Sequence, residues 1–145
     1  MHGLATVDIA HAIQLALAPV FLLSGIAGFL GVLTSRLARV VDRARVIERE
    51  LRQSTAPDPA YAHEQLAVMA RRSRFINAAI TLATIAGLLI ALVVALLFSS
   101  TIAPLNLAPY VGVMFVVSML SLVAAFLSFL IEVRIAIAAL RIGVF

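Results

Sequence analysis

The sequence has no cysteine, which excludes disulfides, thiolate metal sites and thiol nucleophiles. Charge is scarce too: 12% of its 145 residues are Asp, Glu, Lys or Arg, against about 25% in a soluble domain. Lysine is missing altogether, so all eleven basic residues are arginine. What fills the space is apolar, at 63% of the chain. A small soluble fold buries only a limited fraction of its surface and could not hide so much. Hydrocarbon is the solvent that fits. The opening residues 1–8 carry no positive cluster, so the first apolar stretch reads as a retained helix and not as a cleaved signal.

Three stretches without a charged residue, at about 12–33, 75–98 and 110–131, are long enough to span a bilayer. At 1.5 Å per residue each covers about 33–36 Å, against a hydrocarbon core of about 30 Å. Backbone groups in lipid must be satisfied within their own segment, so these runs are expected to be helices. The expected fold class is an all-α integral membrane protein, with residues 1–145 as one membrane domain.

The arginines supply the expected orientation. Nine lie from Arg36 to Arg74, and Arg134 and Arg141 follow the third span. The N-terminal arm and the 99–109 turn have none. The positive-inside rule then puts the central segment and the C-terminus in the cytoplasm, with the N-terminus outside.

The central segment, about 34–74, reads as an antiparallel helical hairpin that extends the first two spans. Leu37, Val40, Ala44, Ile47 and Leu51 recur at steps of three and four, as do Ala62, Leu66, Met69, Ser73 and Ile76. Between them, residues 54–59 break the pattern, with Asp58 suited to an N-cap and Pro59 to the first helical position. No Gly or Pro separates either stripe from its span, so each helix is expected to run on into the membrane.

The runs Pro19-Val20-Phe21-Leu22-Leu23-Ser24-Gly25, Arg39-Val40-Val41-Asp42-Arg43 and Arg71-Arg72-Ser73-Arg74 carry a resemblance over nearly the whole chain. The sequence resembles a family of small bacterial membrane proteins known only as a domain of unknown function. The resemblance implies a bacterial inner-membrane protein with three spans and brings no assigned activity.

Several residue patterns are candidates for a role. In the second span Ala79, Ala83, Gly87 and Ala91 stand four apart and, with Gly28 of the first, are expected to pack helices closely, either within one protomer or between protomers. In the third, Ser118, Ser121, Ala125, Ser128 and Glu132 form one small polar face ending in a carboxylate. In an oligomer Ser118, Ser121, Ser128 and Glu132 would line a pore biased towards cations; otherwise the serines bond to neighbouring helices and Glu132 pairs with Arg36, Arg72 or Arg74. Asn77, Thr81 and Thr84 form a shorter polar face, suited to bonding the first or third helix.

Arg36, Arg39, Arg43, Arg71, Arg72 and Arg74 are candidates for contact with lipid headgroups or a cytoplasmic protein partner. Asp42, Glu48, Glu50, Asp58 and Glu64 are interspersed among the arginines, which argues against nucleic acid. His2, His11 and His63 lie far apart, and nothing supplies a nucleophile, base and orienting group together, so no metal, cofactor or enzymatic activity is expected. The functional expectation is an oligomeric membrane protein, either a pore lined by the third helix or a non-conducting assembly that binds a partner or anionic lipid.

Overall fold

The computed structural model describes residues 2–142 as three α-helices: α1 (His2–Arg52), α2 (Pro59–Ile102) and α3 (Ala108–Ile142). The outermost positions of the expected 1–145 domain, 1 and 143–145, and the side chains of His2, Leu4, Ala5 and Ile142 lie outside the described residues. All three helices are long and apolar enough to cross a membrane. With 51 and 44 residues, α1 and α2 are more than twice as long as a crossing of about 20 residues needs. α1 passes through Pro19 without interruption, although the ring removes the N–H that the Leu15 carbonyl would accept.

The break between α1 and α2 is built from defined caps. Ser54 takes a left-handed conformation with φ of 54°. Its N–H donates to the Leu51 carbonyl at 3.3 Å and the Thr55 N–H to that of Glu50 at 3.0 Å, the paired bonds of a Schellman motif. α2 then starts where the sequence indicates. Asp58 Oδ1 accepts from the Ala60 and Tyr61 N–H groups at 3.1 and 3.3 Å, and Pro59 fills the first helical position, where a missing N–H costs nothing.

The chain divides into two compact units, Met1–Leu30 with Leu82–Val123 and Gly31–Thr81 with Ala124–Phe145, so that each helix contributes a segment to both. In the first, Ala12, Ala16, Ile26, Ala83, Ala86, Ile90 and Val93 are buried, together with Ser118. In the second the buried residues include Leu33, Val40, Ile47, Ala62, Ile76, Ala79 and Ala125, with Glu132 among them.

Burial follows a seven-residue period. On α1 it falls on Ala12, Pro19, Ile26, Leu33, Val40 and Ile47; on α2 on Ala62, Ile76, Ala83 and Ile90; on α3 on Ser118, Ala125 and Glu132. Seven residues make almost two turns, so such a series stays on one side of a helix. Within the chain, the small-residue series on α2 follows this period only in part. Steps of four advance 400° and drift by about 40° each, so a ridge begun at Ala79 leaves the buried side within a few steps. Ala79 and Ala83 are fully buried, Gly87 is half-buried and Ala91 is exposed. The buried series instead runs Ile76, Ala79, Ala83, Ala86, Ile90 and Val93, alternating steps of three and four. Gly28 is exposed, and a methyl group added there would meet nothing within 4 Å. At Gly87 the same addition would only touch Ile26 and Leu23, at 3.6 and 3.9 Å.

Candidate functional site

The polar residues of α3 are engaged within the chain. In the first unit the Ser118 hydroxyl donates to the Ala86 carbonyl at 2.9 Å and that of Ser121 to the Leu82 carbonyl at 2.7 Å. Both acceptors already belong to the backbone ladder of α2, so each serine ties α3 to the main chain of its neighbour with a second bond to a carbonyl that has two lone pairs. Ser118 has no exposed surface.

In the second unit Glu132 sits between two guanidinium groups. Its Oε2 accepts from Arg36 Nε and Nη2 at 3.1 and 2.9 Å; its Oε1 accepts from Arg72 Nε at 3.0 Å and lies 3.0 Å from Arg72 Nη2. One carboxylate thereby joins α1, α2 and α3. Glu132 is 0% exposed, whereas the Arg36 and Arg72 side chains keep 32% and 23% of their surface. The Arg36 guanidinium also lies 5.3 Å from the centre of the Phe129 ring, within range of a cation–π contact. A buried carboxylate is tolerated when opposite charge and hydrogen bonds surround it, and here both oxygens are occupied.

The acid is outnumbered. A recess of about 170 Å³ beside the pair is lined by Arg36, Arg39, Arg43 and Arg72, with Val40 and Met69. No acidic side chain lines it. Arg36, Arg39 and Arg43 share one side of α1 through steps of three and four, while Arg72 comes from α2. Each guanidinium has five N–H donors, so the two held by Glu132 retain several more. Arg39 and Arg43 are exposed, and among the described residues no ion pair holds either. Chemically the recess suits an anion with several acceptor oxygens.

The remaining candidates are distributed as follows. Arg71 and Arg74 are exposed, and Glu132 pairs with Arg36 and Arg72 rather than with either of them. Ser128 is half-buried. Asn77, Thr81 and Thr84 lie on the exposed side of α2, and the Thr81 hydroxyl donates to the Asn77 carbonyl of its own helix at 2.9 Å, not to α1 or α3. Among the described residues no three His, Asp or Glu side chains converge on a point that could hold a metal ion. Within the chain, Ser118, Ser121 and Glu132 are thus bonded to α1 and α2. Phe129 was not singled out from the sequence; its one signal is that it precedes Glu132 by three positions and so shares its side of α3.

Three long apolar helices, joined at one level by a buried acid and two arginines, define a multi-pass membrane protein. The chain belongs to the family described as protein of unknown function (DUF2721), whose model matches residues 16–142. No curated protein and no solved structure matches the chain.

Proposed function

We propose that the chain is a non-conducting, multi-pass protein of the bacterial inner membrane, with its N-terminus outside, and that its arginine-rich cytoplasmic hairpin binds anionic lipid headgroups. The observation that carries the non-conducting reading is the engagement of α3: Ser118, Ser121 and Glu132 spend their polar atoms on α1 and α2. A hydroxyl-lined path along α3 would need those groups to face water. The lipid-binding reading rests on the exposed Arg39, Arg43, Arg71 and Arg74, next to the apolar runs, where a negative leaflet attracts guanidinium groups. No catalytic step is assigned to the chain.

The same reading includes self-association. Ser24, Gly28 and Gly31 are exposed on α1, and a side chain at either glycine would meet open space within the chain. Small residues of this kind let a second copy approach closely in lipid. Gly28→Leu therefore weakens association in crosslinking experiments and leaves the fold of the chain intact.

Reconstitution tests the main reading. Liposomes containing the purified protein should leak ions no faster than protein-free liposomes, and lipid retained through purification should be enriched in anionic species. An ion flux that changes selectivity on Glu132→Gln would reinstate a pore. Retention of a cytoplasmic protein in place of lipid, lost on charge reversal of Arg39 and Arg43, would move the role of the hairpin to partner docking.

A further inference from the structure

We infer that the recess lined by Arg36, Arg39, Arg43 and Arg72 is a binding site for a single phosphate group, either the headgroup phosphate of an anionic phospholipid or that of a soluble phosphate compound. The inference rests on the proposed function in taking the basic segment as an anion-binding surface, and goes further in assigning one site with defined residues.

Four observations converge on it. First, four guanidinium groups line one recess and no carboxylate does. Like charges gathered around one recess repel, and an anion among them offsets that repulsion. Second, two of the four are held in place. Glu132 fixes Arg36 and Arg72 through their Nε and Nη2 edges, and Phe129 lies 5.3 Å from the Arg36 guanidinium. Arginines held by a buried acid need little further ordering when a ligand arrives. Glu132 does not line the recess and is thus a positioning residue, acting through Arg36 and Arg72.

Third, the other two arginines have no competing engagement: Arg39 and Arg43 are exposed and in no ion pair among the described residues. They are available to close on a ligand that Arg36 and Arg72 have already oriented. Fourth, the size and chemistry agree. About 170 Å³ accommodates a phosphate group and some water, and tetrahedral phosphate oxygens accept the paired N–H groups that planar guanidiniums present. Val40 and Met69 supply the apolar part of the wall, which suits the carbon skeleton attached to a phosphate ester.

The test uses the full chain in nanodiscs of phosphatidylcholine, with two ligand arms. In one, phosphatidylglycerol is added to the bilayer; in the other, inorganic phosphate is titrated into the solution. Binding is read by native mass spectrometry and by the shift in melting temperature. Arg39→Gln/Arg43→Gln is compared with Arg49→Gln/Arg141→Gln, which removes the same charge from exposed positions that do not line the recess. The first pair should bind about tenfold more weakly than wild type in whichever arm shows binding, and the control pair within about twofold. Binding in the phosphatidylglycerol arm alone identifies a lipid headgroup; binding in the inorganic phosphate arm identifies a soluble ligand. Equal weakening by the two pairs would overturn the site while leaving a diffuse lipid-binding surface in place. Failure of wild type to bind in either arm would overturn the site and the lipid-binding reading together.

Discussion

At the scale of single residues, Glu132 is the one buried charged side chain among the described residues. It has no exposed surface and satisfies two arginines from different helices. Glu132→Gln leaves Arg36 and Arg72 without their counter-charge. The expected loss is about 2–4 kcal/mol of stability, under the figure for a fully buried pair because both guanidiniums are partly open. Arg74→Gln, at an exposed position, should cost no more than about 0.5 kcal/mol. Unfolding of both variants in detergent measures the difference, and equal stabilities would show that Glu132 does not anchor the second unit. Ser54 offers the opposite case. Its left-handed backbone is strained for any residue with a Cβ, so Ser54→Gly should raise stability by about 1 kcal/mol, visible as a higher melting temperature. The partners of Glu132 were legible in the sequence only as a choice of three. Arg72 and Arg74 stand about 200° apart on a helix, so one at most can face the acid, and the apolar residues around them do not reveal which.

At the scale of the helix, legibility depends on contrast. Leu37, Val40, Ala44, Ile47 and Leu51 stand out against charged neighbours, and all five are buried or half-buried. The same is true of Ala62, Leu66, Met69, Ser73 and Ile76. The caps at Asp58 and Pro59 were equally plain, because their chemistry is local. Within the apolar part of α2 that contrast disappears, since residues facing lipid and residues facing protein are alike hydrophobic. A period of four among small residues then looked like a ridge, and the packed side proved to have a period of three and a half. This difference is open to measurement. Ala83→Leu forces a large side chain into a site with no free surface and should cost about 1–3 kcal/mol or more, whereas Ala91→Leu, on the exposed side, should be nearly neutral in detergent melting experiments. The reverse order would restore the step-of-four ridge. Helix three was legible as a continuous polar face. Its direction was not, because serines facing a lumen and serines bonded to a neighbour's carbonyl leave the same pattern in the sequence.

At the scale of the whole molecule, the proposed account is of three membrane crossings sorted by guanidinium charge, with the acid and its arginines bracing the basic part of the chain below the bilayer. The proposed orientation rests on the arginine distribution: eleven arginines fall in or after the segment from Arg36, and none lies in the 99–109 turn. The absence of cysteine makes the test clean, since one introduced thiol reports alone. The most direct measurement is labelling of Gln53→Cys and Asn106→Cys, both at exposed positions, with a membrane-impermeant maleimide in intact bacterial cells. The account predicts that Asn106→Cys reacts in intact cells and Gln53→Cys only after the inner membrane is opened. Labelling of Gln53→Cys from outside intact cells would contradict it.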